Sequence, residues 1–221
     1  MHVYSPWWLD NKKLDFPRGY HLEQWGGMGM PSYGTGFDPN GLNKYLSEKV
    51  GCYGNGLRED VKKFYGSVVG ISGRGEAIAR KDNYCEIDPT TVDEFGIPVL
   101  RFHYKWSDFE KKQAKHMHET FEEILTNMGG ILLGEKPGAD RNYGLHAPGR
   151  IIHEVGTTRM GSDPTKSVVN EFEQLHDVDN VFVVDAGPFV SQADKNPTWT
   201  IMALAWRTSD FIIQELKKQN I

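Results

Sequence analysis

The 221-residue chain predicts a mixed α+β and α/β fold in two portions, on three observations. Short apolar runs separated by glycine and turn residues crowd the first hundred positions, as in a largely antiparallel sheet. Two longer segments carry helical spacing, one over about 107–128 and one over about 197–217. Between them Val181–Gly187 is an apolar run ending in an acid and two small residues, the pattern of a buried strand of an α/β sheet.

Each element has its own warrant. Arg18–Trp25 alternates and is bounded by glycine, which predicts a strand, and Gly26–Gly41 is a long glycine-punctuated loop. Leu57–Phe64 reads as a short helix. Strands are expected at Ser67–Ser72, Asn83–Asp88 and Pro98–Tyr104, with Phe95-Gly96 as a turn before the last. Ser107 and Glu110 fit a capping box for the first long helix. Its apolar face is Ala114, Met117, Phe121, Ile124, Leu125 and Met128, and Gly129-Gly130 ends it. The irregular crossing Pro137–Pro148 divides residues 1–140 from 145–221. The last helix, about Pro197 to Lys217, is apolar nearly all round in its first three turns and is expected inside the protein.

Composition narrows the function classes. A net charge of −5 argues against nucleic acid or an anionic membrane as the main partner. No apolar run approaches the roughly 18 residues of a membrane span, and the N-terminus lacks the layout of a signal peptide. Periplasm and cytoplasm both stay open, because Cys52 and Cys85 form neither a metal spacing nor a disulfide framework. No metal site is expected: His116 and His118 point to different helix faces. The glycines at 70, 73 and 75, and those at 26, 27 and 29, do not spell a dinucleotide fingerprint.

Three places can carry chemistry. Asn196 suits an N-cap and Pro197 the first helical position, leaving the Thr198 and Trp199 amides as unpaired donors at the positive end of a helix; the plain alternative is a helix start with a convenient cap. His153 follows two isoleucines and precedes Val155-Gly156, as a catalyst or as a satisfied core histidine. Asp185 ends the apolar run, as a ligand-binding residue or as a turn cap.

The order and wording of these stretches carry a resemblance. His153-Glu-Val-Gly-Thr-Thr-Arg-Met-Gly161, Asp163-Pro164, Ser167–Asn170, Val178–Gly187 and Asn196-Pro-Thr with its helix closely resemble the C-terminal signature of the glucose–methanol–choline (GMC) flavoprotein oxidoreductases. Asn170 departs from the aspartate common there, an exchange expected to affect a turn. More loosely, Gly75–Asn83 and the helix ending at Gly129 are similar to that family's substrate-binding domain. The wording from Asp194 to Ala205 is closest to the branch of gluconate 2-dehydrogenase large subunits, fructose dehydrogenase and glucoside 3-dehydrogenases.

The resemblance implies an FAD-dependent oxidation of a CH–OH group. His153 would be the base and Asn196 the second catalytic residue; Asp185, Ala186, Asn196, Pro197 and Thr198 would approach the FAD, and Gln24 would touch a sugar hydroxyl unless it is merely a solvated strand position. Residues 1–140 would be part of the substrate-binding domain and 145–221 the C-terminal part of an FAD-binding domain. Implied partners are a sugar or polyol, an N-terminal FAD-binding half of the same protein, and a small companion subunit with a cytochrome. Without that half the chain is expected to bind FAD poorly. Two rivals are an inactive fragment and a carbohydrate-binding module using Trp7, Trp8 and Trp25 as platforms.

Overall fold

The computed structural model describes residues 2–4, 12–26, 54–64, 69–132 and 136–221. Of the loop expected over Gly26–Gly41 only Gly26 is among these residues, and Cys52, Trp7 and Trp8 lie outside them. Helices and small antiparallel sheets make up the fold, in two compact units: residues 1–75 with 108–145, and residues 76–107 with 146–221. The sequence predicts one boundary, between 140 and 145, whereas the chain changes unit three times, after Gly75, Ser107 and Leu145.

In the first unit, β1 (His2–Tyr4), β2 (Tyr20–Gly26) and β3 (Val69–Gly75) form an antiparallel sheet in the order β1-β2-β3. Helix α1 spans Gly54–Phe64, and helix α2, Asp108–Asn127, packs on β3. The approach is close because β3 presents glycines: a Cβ on Gly73 would meet Met117 Sδ at 2.5 Å, and one on Gly75 would meet Gln113 Oε1 at 1.8 Å. Phe16, Tyr20, Leu22 and Met117 form the buried core, with Ile71, Phe121 and Ile124 against it. Gln113 Nε2 donates to the carbonyls of Arg18 (3.0 Å) and Gly19 (3.1 Å), fixing the helix to the start of β2. Gly129 ends α2 at φ +75°, with Gly130 N–H donating back to the Leu125 carbonyl at 2.9 Å, as the glycine pair predicted.

In the second unit, β4 (Tyr84–Val92) and β5 (Pro98–His103) form an antiparallel hairpin. Trp106 Nε1 donates to the His146 carbonyl at 2.9 Å, tying the end of the hairpin to the C-terminal segment. Helix α3, Thr198–Lys218, closes the chain. Two expectations are corrected here. Val181–Gly187 is not a strand: Phe182 makes one antiparallel bridge with Gln174, and Val181 and Val184 stay 41% and 48% exposed. A strand needs a ladder beside it to satisfy its amides, and among the described residues none runs parallel to this segment. Nor is α3 inside: Thr208 is its one buried residue, and Trp199, Met202 and Trp206 are 85%, 64% and 74% exposed. Apolar composition fixes what a helix can bury, not whether a neighbour is present to cover it.

Candidate functional site

Alternate amides of one arm order the region around His153. Gly156, Thr158 and Met160 N–H donate to the carbonyls of Ala186 (3.2 Å), Gly187 (3.1 Å) and Pro188 (2.9 Å). Gly156 allows the entry to this zipper, at φ +88°, where a side chain is strained. Gly187 allows the closest approach, since a Cβ there would lie 2.2 Å from Thr158 Oγ1. That hydroxyl is buried and has no hydrogen-bond partner among the described residues. His153 sits three residues before the first bond, half-buried, next to the exposed Ile152. The zipper therefore brings the His153 arm beside Ala186.

Asp185 is exposed, and its Oδ1 accepts from Gly187 N–H at 2.7 Å. Asp185 thus caps a turn through Oδ1. Asn196 is corrected as a cap. The N-cap of α3 is Pro197, at φ −83° and ψ −15°, and no side chain caps it. The Pro197 carbonyl takes the first intrahelical bond, from the Ile201 amide at 3.0 Å, and the Asn196 side chain makes no capping bond among the described residues. Thr198, Trp199 and Thr200 are left with amides lacking an intrahelical acceptor, pointing along the positive end of the helix. Asn196 and Thr198 are exposed and Pro197 is buried. Among the described residues no hydrogen bond or ring contact joins His153 to Asn196, Pro197 or Thr198. Gln24 lies in the other unit, exposed on β2 opposite Ile71.

A buried polar cluster behind α3 escapes sequence reasoning. Glu173 is 1% exposed and holds φ +62°, and its Oε2 accepts from Thr208 Oγ1 at 2.7 Å. Its Oε1 has no partner among the described residues. Asn170 organises the turn that presents it: Oδ1 accepts from Phe172 N–H (2.9 Å) and Gln174 N–H (3.2 Å), while Nδ2 donates to Gln174 Oε1 at 2.9 Å. An aspartate could accept the same two amides but could not donate to Gln174. Phe172 stacks on Phe211 of α3 at 4.1 Å between ring centres. The one available signal was Thr208 itself, a polar residue on the inward side of an apolar helix. A depression of about 210 Å³ lies between Arg159, Met160, Asp163, Lys166 and Val190, and none of the expected site residues lines it.

Among the described residues no three His, Cys, Asp or Glu side chains group as metal ligands, and no helix is long and apolar enough to cross a membrane. Residues 79–205 match the family described as GMC oxidoreductase, more than half of the chain. The chain is 28% identical to the 2-methyl-1,2-propanediol dehydrogenase of Mycolicibacterium austroafricanum over 84% of its own length and 32% of that protein. It is 27% identical to the gluconate 2-dehydrogenase flavoprotein of Pantoea cypripedii over 75% of its length and 27% of that protein. With the C-glycoside 3-oxidase of Arthrobacter globiformis the identity is 32%, over 72% of the chain and 30% of the relative. The chain thus spans about a third or less of these relatives. The matched stretch contains the zipped His153 arm and the free-amide start of α3 together, and the chain belongs to the GMC oxidoreductases, a generally flavin-dependent family, as a C-terminal domain.

Proposed function

We propose that the chain is the C-terminal portion of an FAD-dependent dehydrogenase that oxidises a CH–OH group of a sugar, glycoside or polyol. The relatives' names speak of a diol, of gluconate and of a C-glycoside, which supports that substrate class. Residues 1–140 would serve the substrate side and 145–221 the C-terminal part of the FAD domain. The observation that carries the reading is the zipper fixing the His153 arm on Ala186–Pro188, within the segment that matches the family. A carbohydrate-binding module would leave that arrangement without a purpose.

In this reading the half-buried His153 imidazole takes the proton from the substrate hydroxyl. Asn196, exposed and free of a capping bond, holds the substrate oxygen through its carboxamide, which does not titrate near neutral pH. One group then carries the pH-dependent step. The cofactor, when bound, supplies the hydride acceptor. Free amides at a helix N-terminus suit a group that gathers negative charge on reduction, and Pro197 and Thr198 lie at that terminus. Asp185 would approach the FAD by its side chain and Ala186 by its backbone. The N-terminal half of the protein would hold the rest of the FAD, and a small companion subunit with a cytochrome would take the electrons onward.

The test is reconstitution with the N-terminal half and FAD, followed by dye reduction over a panel of sugars, glycosides and polyols. Turnover with at least one CH–OH substrate is expected. His153→Gln should lower kcat by about 10²–10⁴-fold with flavin still bound. A flavin-loaded protein that reduces no dye with any of them overturns the proposal and leaves the inactive remnant.

A further inference from the structure

The two faces of the β2–β3 ladder are unlike. Strand alternation puts Tyr20, Leu22 and Gln24 on one side and His21, Glu23 and Trp25 on the other. The first side belongs to α2: Tyr20 and Leu22 are core residues, and on β3 Ile71 and Gly73 meet the same helix. Gln24, opposite Ile71, is therefore on the helix side of the sheet. The second side of β3 carries Gly70, Ser72 and Arg74, paired with Trp25, Glu23 and His21 in that order.

Trp25 is held in an unusual way. A Cβ on Gly70 would lie 2.1 Å from both Cε2 and Cζ2 of the indole and 2.7 Å from Cδ2. The benzo ring thus rests directly on the main chain of β3, in space that any other residue at 70 would occupy. The residue is nevertheless 60% exposed. Beside it, Glu23 Oε1 lies 2.8 Å from Arg74 Nε and 3.4 Å from His21 Nε2. His21 is fully buried, and the Glu23 side chain is 19% exposed, so the Glu23–Arg74 contact is an ion pair at the edge of this face, with the His21 ring behind it. Glu23 and Trp25 are about 7 Å apart along the strand, close to the span of a pyranose with its hydroxyls.

We propose that Trp25 is the floor of a pyranose-binding subsite, with the Glu23–Arg74 pair as its hydrogen-bonding rim. The flat, rigid indole offers the apolar C–H face of the sugar a platform at low entropic cost. A carboxylate and a guanidinium side by side accept from one hydroxyl and donate to its neighbour, the few placed polar groups that fix a ligand's orientation. Gly70 is the positioning residue, since it seats the ring. The subsite deepens the proposed sugar chemistry and rests on that reading for its ligand class.

The probe is methyl β-D-glucopyranoside, titrated into the 15N-indole-labelled chain and followed by NMR, with Trp25→Phe assigning the Trp25 signal. The Trp25 indole resonance should move in a saturable way, while that of Trp206 in the other unit stays still. Sorbitol, which has the hydroxyls but no ring face, should not reproduce the shift. Glu23→Gln should weaken binding and Trp25→Phe should retain part of it. Gly70→Val, which unseats the ring without removing it, should weaken it about tenfold. In the reconstituted enzyme Trp25→Phe should raise KM for the glucoside and leave kcat and its pH profile unchanged. No movement at Trp25 up to the solubility limit, or an equal shift with sorbitol, overturns the subsite. Turnover that persists in that case leaves the oxidoreductase reading standing, and a Trp25 shift without any turnover does the reverse.

Discussion

The two units differ in how much of what they bury is apolar. The first buries Phe16, Tyr20, Leu22, Ala114 and Met117 beside the polar His21, Glu110, Gln113 and Thr120, all under a tenth exposed. The second buries Asp88, Glu173, Asp194 and Thr208, with Val169 as its one buried hydrophobic among the described residues. It leaves apolar groups outside, on the hairpin face of Ile87, Leu100 and Phe102 and along α3 at Trp199, Met202, Trp206, Ile213 and Leu216. The α3 positions are spaced by three, four and seven residues, the seam of a helix that packs on another element. The first unit thus has an apolar core with polar side chains pinned around it, and the second relies on placed hydrogen bonds with little buried apolar surface. An apolar stripe of that kind marks an interaction surface, in keeping with the proposed N-terminal half.

The contrast can be broken by substitution. Met117→Ala should cost about 2–5 kcal/mol, read as lost amide hydrogen-exchange protection in β2, β3 and α2. Equal loss in residues 156–189 would mean that the units unfold as one and that the contrast is only pictorial. Thr208→Val keeps the shape but removes the donor to Glu173, for about 1–3 kcal/mol, confined to the C-terminal segment and α3. An unchanged exchange pattern would remove hydrogen bonding as the organising force of the second unit.

Acid should separate the units next. Burial lowers the pKa of His116, which contacts Tyr20 Oη at 2.8 Å through Nδ1; Glu119 and Asp15 act in the opposite sense. The Tyr20 phenol, pushed up to about 12 by burial, stays neutral throughout. A base held neutral by the fold gives its full stabilisation above its unfolded pKa of about 6.5, and loses it as pH falls toward the depressed value. Asp88 is held well below the ordinary carboxylate range by the Thr90 and Thr91 amides, then the Thr90 hydroxyl and Arg101. Its stabilisation is complete above about 3.9 and is lost progressively as pH falls from there toward the lowered value. Exchange monitored between pH 7 and pH 3 should show α2 and β2 loosening first and the β4–β5 hairpin later, with His116→Gln abolishing the first step. The smallest effect belongs to Trp206→Gln, within about 0.5 kcal/mol for the chain alone, accompanied by weaker association with the N-terminal half in sedimentation. A larger loss would mean that the stripe already packs on something.

What the sequence made legible follows from which signals are local. The α2 boundaries, its Gly129 terminus and the antiparallel β4–β5 hairpin depend on spacing and turn chemistry, and all are present, whereas β3 pairs with the sequence-distant β2 and not with its neighbour β4. Val181–Gly187 and α3 were misjudged because burial depends on a neighbour, and an apolar run looks alike whether or not one is there. Asn196 failed as a cap by a single residue, since the sequence does not tell whether Pro197 is the first helical residue or the one before it. The His153 and Asp185 stretches were found by their wording, and the backbone zipper between them leaves no trace in residue type because amides make it. Glu173 was invisible for another reason: a glutamate at positive φ contradicts every local preference.

The three changes of unit along the chain constrain how it can be made. Neither unit is an uninterrupted stretch of polypeptide, so a protease nick after Gly75 or Ser107 would cut a connection without releasing a separable piece. During synthesis the β4–β5 hairpin leaves the ribosome well before residues 146–221, the segment it is grouped with. Its Ile87, Leu100 and Phe102 emerge exposed and are still exposed in the folded chain, so this hairpin presents an apolar face to other chains from birth onward.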